Sequence, residues 1–257
     1  MATPLLETRE LSIRFGGHLA VDGVSASFRA GTLTAIVGPN GAGKTTYFNL
    51  ISGQLPATAG SVLFAGREIT RLKAAARARL GLGRAFQLTN LFPNLTVHEN
   101  VRLAVQAKAG GGANIAGRCS RQIAWIDRAE RYLAAAKLED KRDLPAVALP
   151  HGDKRKLEVA IMMALEPDVF MFDEPTAGMS VDDVPVVLDL IKALKAQGDK
   201  TILLVEHKMD VVRSLADRIV VLHNGRLVAD GRPAEVIASA IVQEAYLGVP
   251  AGSARHG

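Results

Sequence analysis

Three short, unbroken apolar runs stand out along the chain: LTAIV at residues 33–37, VFMF at 169–172 and ILLV at 202–205. A strand reads this way when both faces are covered, as in a parallel sheet, whereas a half-solvated strand alternates. The first run leads into a glycine-rich turn and then a helix predicted to end near Ser52, with Gly53 as its stop. Two further strand-like runs, LETRELSIRF at 6–15 and GSVLFAGREI at 60–69, flank this strand, loop and helix, and Gly66 gives the second a hairpin turn. Together they predict a small antiparallel sheet packed beside the parallel one. RIVVLHNGRLVADG at 218–231 is another hairpin, turned at Asn224 and Gly225.

Helical periodicity takes over elsewhere. In residues 180–198 an apolar face of Val184, Val187, Leu188, Ile191 and Leu194 predicts an amphipathic helix, with Ser180 and Asp183 at capping-box spacing and Gly198 as its end. From about residue 96 to 146 Ala, Arg and Glu become common, and Ile123, Ile126, Tyr132 and Leu133 approach helical spacing around Trp125. A helical subdomain over about residues 96–165, inserted in the α/β core, is the expectation. Its KAGGGANIAG stretch at 108–117 is too rich in glycine to hold a helix and reads as a loop. The chain therefore reads as one α/β domain over residues 1–250, with 251–257 a small, polar, disordered tail.

Composition narrows the class only a little. With 48% hydrophobic and 22% charged residues in 257, the chain is ordinary for a globular protein with a sizeable core. The net charge of +5 comes from basic residues spread along the sequence, with no block that would point to nucleic acid. The single cysteine, Cys119, has no partner for a disulfide or a metal site, which fits a reducing compartment. No secretory leader and no window of eighteen consecutive apolar residues is present, so a membrane role would come through a partner.

Two motifs carry the chemistry. GPNGAGKTT supplies Gly38, Pro39, Asn40, Gly41, Ala42, Gly43, Lys44, Thr45 and Thr46 between a predicted strand and a predicted helix. Its glycines let backbone N–H groups wrap phosphates, the helix N-terminus adds a favourable dipole, Lys44 reaches the β- and γ-phosphates and Thr45 ligates magnesium. VFMFDE is the complementary half: a buried strand ending in Asp173, a magnesium ligand, followed by Glu174, which polarises the attacking water. A P-loop kinase or GTPase would need an acceptor lid or a guanine-reading motif, and neither is found.

With AFQ at 85–87 and VEH at 205–207, these residues resemble the ATP-binding cassette family, the ATPases that drive membrane transporters, over about residues 5–248. The resemblance implies a P-loop NTPase fold with a RecA-like parallel-sheet core, an antiparallel β subdomain and a helical signature subdomain, using ATP and Mg2+. It also assigns roles. Gln87 becomes the loop glutamine joining the magnesium site to a membrane subunit, His207 the switch histidine facing the γ-phosphate, and Phe15 the aromatic that stacks on adenine, with Val21 supporting that surface.

The same resemblance places Leu149, Pro150, His151, Gly152 and Asp153 on the family signature, whose commonest form is Leu-Ser-Gly-Gly-Gln. In the family that loop closes over the ATP of a second cassette, serine hydroxyl and glycine N–H donating to its γ-phosphate. Pro150 offers neither hydroxyl nor N–H, while Gly152 keeps its N–H and His151 has a ring donor. Proline suits the first turn of the helix expected over 153–165, and Asp153 is expected to serve as a structural cap. Ser180 stands where the family has an aspartate that also reaches across the dimer.

Within the family, LTVHENV, LPHGD, DEPTAGMS and LLVEHKMDVV look like the ATPase subunits of bacterial branched-chain amino-acid importers. That likeness implies permease subunits, a second cassette in a hetero-dimer or homo-dimer, a periplasmic substrate-binding protein, and a peripheral position on the cytoplasmic face of the inner membrane. It implies no nucleic-acid partner. Two alternatives stay open: a cassette exporting lipid or lipopolysaccharide, and a non-transport ATPase of the same family, for which 257 residues with one set of motifs leave little room.

Overall fold

The computed structural model describes residues 4–85, 91–110, 118–239 and 242, with residues 118–121 described by backbone only. The chain opens with β1 (Leu6–Phe15), β2 (His18–Phe28) and β3 (Leu33–Val37), followed by α1 (Lys44–Ser52). Next come β4 (Ala59–Phe64), β5 (Arg67–Glu68), α2 (Ala74–Arg79) and β6 (Leu82–Ala85). Helices α3 (Val97–Lys108), α4 (Arg118–Ala135) and α5 (His151–Leu165) precede β7 (Val169–Asp173). The remainder is α6 (Val184–Ala196), β8 (Thr201–Val205), α7 (Met209–Leu215), β9 (Arg218–His223), β10 (Arg226–Gly231) and α8 (Pro233–Ile237).

The unbroken apolar runs form the centre of a six-stranded sheet in the order β10-β9-β3-β8-β7-β6, parallel except for β10. Both faces are covered. Phe170, Phe172, Ile202 and Leu204 point into a core shared with α3, α5 and α6, while Val169, Met171, Leu203 and Val205 point into one shared with α1 and the small sheet. Alternate side chains of one strand thus serve two cores, which is why no polar position interrupts these sequences.

The small sheet is antiparallel, in the order β2-β1-β4-β5. A hydrogen bond of 2.7 Å between Thr8 Oγ1 and the fully buried Tyr47 hydroxyl ties it to α1. Strand β2 is not announced by the sequence, because Asp22 and Gly23 interrupt its alternation. The β9–β10 hairpin turns where expected, with Asn224 at φ 49° and Gly225 at φ 77°, the left-handed pair that a tight hairpin turn requires.

Helices α3, α4 and α5 pack on one another and on the face of the sheet bearing Phe170. Thr96 and Glu99 close a reciprocal capping box at the start of α3. In α4 the buried line is Ala129 and Leu133, continued by Ala136, while Ile123 stays 60% exposed and Trp125, Ile126 and Tyr132 are half-buried, so the face expected from the isoleucines is rotated.

Helix α6 departs from expectation in two ways. It begins at Val184, preceded by only half of the expected capping box: the Ser180 hydroxyl accepts from the Asp183 N–H at 3.2 Å, but the Asp183 carboxylate is drawn to Lys156 and to the Ser180 hydroxyl instead of the Ser180 N–H. Its buried face is Val186, Val187, Leu190, Ile191 and Leu194, leaving Val184 and Leu188 half-buried. The glycine-dense stretch expected as a loop lies mostly outside the described residues, as do the tail at 251–257 and Gln87.

Candidate functional site

Register decides which loops meet. Val205 at the end of β8 pairs with Ile36 of β3 on one side and Asp173 of β7 on the other. The phosphate loop, Glu174 and His207 therefore all leave the sheet at one edge, the C-terminal ends of parallel strands, where open α/β sheets bind ligands.

The loop itself is shaped by backbone proximity. Gly43 has φ 94°, and a Cβ there would lie 2.5 Å from the Ala20 carbonyl oxygen, so only glycine fits between the loop and β2. Gly41, at φ 79°, faces open space, with nothing within 4 Å of a built Cβ. Pro39 is half-buried, Asn40 exposed and Ala42 buried. The Lys44 Nζ donates to the carbonyls of Gly38 at 2.7 Å and Pro39 at 3.0 Å. Burial lowers the Lys44 pKa, opposed by the nearby Glu174 and Asp173 carboxylates. Thr45 is exposed and Thr46 half-buried in the first turn of α1.

Asp173 ends β7 with its side chain 6% exposed, its Oδ2 accepting from Arg84 Nη2 at 2.9 Å. Burial raises its pKa, and Arg84 pulls the other way. Glu174 adopts φ 49°, a left-handed conformation costly for a glutamate and found chiefly where surrounding structure enforces it, here through a bond from its N–H to the Val205 carbonyl at 2.9 Å. His207 Nδ1 lies 3.8 Å from Glu174 Oε1, beyond hydrogen-bond reach. The turn carrying His207 is fixed from beneath by the buried Glu206, which accepts from Thr176 Oγ1 at 2.8 Å and from the His207 N–H at 3.2 Å.

Phe15 ends β1 with 49% of its surface exposed, as a stacking platform must. Val21 is fully buried below Gly43, so it supports that surface from inside and cannot line it.

The LPHGD stretch faces the segment after Glu174. Pro150 caps α5 and His151 opens it, two residues ahead of the expected start. His151 Nε2 lies beside Gly178, and Gly152 lies beside Asp183. Two of the five residues turn inward: Leu149 is buried in the core among the helices, and Asp153, 3% exposed, pairs with Lys141 and with Lys156 at 3.1 Å. Asp153 is therefore an ion-pair partner, neither a cap nor a carboxylate aimed at phosphate, and Leu149 anchors the loop through packing. Of the other three, Pro150 and His151 are exposed and Gly152 is half-buried.

Arg84, Thr176, Glu206, Lys141 and Lys156 complete the site and escape sequence reading, since each makes at least one contact outside its own element; Lys156 also pairs with Asp153 one turn away on the same helix. Arg84 did leave one signal: a cation in a short strand directly before AFQ. Among the described residues no cluster of three His, Cys, Asp or Glu side chains could hold a metal alone. The Thr45 hydroxyl and the Asp173 carboxylate are hard oxygen donors of the kind magnesium uses when phosphate and water complete its shell, so the donor set fits that ion.

A sheet edge bearing a phosphate loop, two carboxylates and a histidine from adjacent strands defines a P-loop ATPase. The family profile described as ABC transporter matches residues 21–177, more than half of the chain. The chain is 38% identical to the high-affinity branched-chain amino acid transport ATP-binding protein LivG of Salmonella typhimurium (strain LT2), over 96% of this chain and 99% of that protein. It is 37% identical to BraF of Pseudomonas aeruginosa, a protein of the same description, over 96% and 99%. The crystal structure of the ADP conformation of MJ1267, an ATP-binding cassette of an ABC transporter, superposes with a TM-score of 0.79 at 29% identity, covering 96% of this chain and all of that one. The chain belongs to the ABC transporter family, as an ATPase cassette. Among its described residues no helix is long and apolar enough to cross a membrane.

Proposed function

We propose that the chain is the magnesium-dependent, ATP-hydrolysing subunit of a bacterial importer for branched-chain amino acids or related small acids and amides. Lys44, Asp173, Glu174 and His207 gathered at one sheet edge carry the ATPase part of this reading. The cargo part rests on the LivG and BraF likeness. Permease subunits, a second cassette and a periplasmic binding protein complete the proposed assembly, with this chain peripheral on the cytoplasmic face of the inner membrane. Residues 1–250 form its single domain, and residues 96–165 the subdomain that passes motion to the permease.

The adenine stacks on exposed Phe15, and loop N–H groups and the α1 N-terminus receive the phosphates. Lys44 exchanges the carbonyls of Gly38 and Pro39 for phosphate oxygens, which accept stronger, charge-assisted bonds. Thr45 and Asp173 would hold magnesium, which when bound would supply neutralisation of charge on the phosphates. Glu174 orients and polarises the attacking water, and His207, on the neighbouring strand end, faces the same phosphate.

His151 and Gly152 face the nucleotide of a second cassette, with fewer donors than the common family signature. In a hetero-dimer this chain's own Walker residues form the strong site with the partner's signature, and LPHGD forms the weaker one. Uptake of labelled leucine, isoleucine and valine by cells expressing wild-type or Glu174→Gln chain in a deletion background tests the assignment. Uptake restored by wild type alone is expected, and equal uptake with both would refute it.

A further inference from the structure

Arg84 is a buried cation at the functional edge that neither the phosphate loop nor the carboxylate pair accounts for. Its side chain is 7% exposed, and its guanidinium has four acceptors. Nη2 donates to Asp173 Oδ2 at 2.9 Å. Nη1 reaches Asn49 Oδ1 at 2.6 Å, Ser52 Oγ at 2.8 Å and Gln54 Oε1 at 3.3 Å. The guanidinium carbon stands 5.5 Å from the centre of the Phe48 ring.

These partners are not a random set. Asn49, Ser52 and Phe48 belong to α1, the helix whose first turn holds Lys44 and Thr45, and Gln54 follows its C-cap, Gly53. One planar group therefore joins the far end of the phosphate helix to the carboxylate that ends β7. Among the described residues its buried Nε has no hydrogen-bond partner, a cost that a purely apolar side chain would avoid. Arg84 engages Oδ2 of Asp173, and among the described residues Oδ1 has no such bond, so the carboxylate is held with one oxygen committed and one available.

We propose that Arg84 is a positioning residue for magnesium: by fixing Asp173 Oδ2 and the end of α1 together, it presents Asp173 Oδ1 and the Thr45 hydroxyl as a preset pair of ligands. The inference rests on the reading of Thr45 and Asp173 as the magnesium pair. A lysine could keep the charge but not the planar fork, which bonds both sides at once.

The test is ADP binding by the full-length chain, measured by calorimetry with magnesium and with EDTA, for wild type, Asp173→Asn, Arg84→Gln and Arg84→Lys. The readout is the ratio of the two Kd values, which a general loss of fold would not change selectively. Wild type should bind more tightly with magnesium, and Asp173→Asn should abolish that gain. Arg84→Gln should reduce the gain at least fivefold while leaving the EDTA affinity within twofold. If it cannot be purified folded, Arg84→Lys decides, with a loss of at least threefold in the same ratio. An unchanged ratio, or affinity lost equally with and without magnesium, overturns the proposal and leaves Arg84 a stabilising residue. A wild type, or an Asp173→Asn variant, that breaks its own expectation would overturn the magnesium reading itself, and the inference with it.

Discussion

Asp183 stands so close to Gly152 that a Cβ on that glycine would lie 2.5 Å from its Oδ2. The same aspartate is held by Lys156 and by Ser180. The LPHGD stretch and the segment after Glu174 thereby meet face to face, and a methyl group on Gly152 would require the Asp183 carboxylate to move. Gly152→Val is expected to displace Asp183 and to leave ATP binding by the chain's own phosphate loop within twofold. If the proposed asymmetric pairing holds, it should lower turnover of the assembled transporter less than Glu174→Gln does, because only the weaker of the two proposed sites would be touched. Turnover by the two variant transporters, compared side by side, checks the order.

Glu174→Gln keeps the shape of the side chain and removes its basicity. A positioned general base is worth about 10²–10⁴-fold in rate, so turnover should fall by that factor while ATP affinity holds. Single-turnover kinetics on the assembled transporter separate the two quantities.

Arg77 supports the site from below. It is 2% exposed and donates to the carbonyls of Leu50 and Ile51 at the end of α1, and to those of Thr70 and Leu72. Burial without a carboxylate partner lowers its pKa to about 10, so it remains a cation at neutral pH. Arg77→Met should cost about 2–4 kcal/mol in urea unfolding, the range expected when buried carbonyls lose a charged donor.

Glu158 gives a pH-dependent prediction. Its side chain is 7% exposed, and burial raises its pKa above the ordinary 4.5, with Arg155 opposing at 3.1 Å. Folded chain therefore binds this proton more readily than unfolded chain, so stability falls as pH rises through the raised value and recovers on acidification. Glu158→Gln should raise Tm at pH 7, and the difference should shrink as the pH approaches 4.5. Thermal melts of both proteins across that range test the sign.

The sequence shows what is contiguous or periodic. Gly38 to Thr46 needs no tertiary knowledge, because all its groups act within one strand, loop and helix unit. Asp173 and Glu174 are nearly as plain, following a run whose apolar character comes from two covered faces. The helix at 184–196 shows where this stops: Ser180 and Asp183 have the spacing of a local cap and form its hydroxyl half, but Lys156, far back in the chain, offers a full charge and draws the carboxylate away. Asp153 is a partial case: Lys156 lies one turn along the same helix, but Lys141 reaches its carboxylate from outside α5. Arg84 and Glu206 are illegible for the same reason, since 89 and 30 residues separate them from Asp173 and Thr176.

The most direct measurement is ATP turnover by the purified full-length chain as a function of its own concentration, with Glu174→Gln as the blank and ATP binding measured on the same sample. The account predicts clear ATP binding with turnover near the blank at every concentration, because two copies would offer each other only the depleted LPHGD surface. Turnover rising faster than linearly with concentration would show that this surface completes an active site unaided, and would contradict the asymmetric pairing.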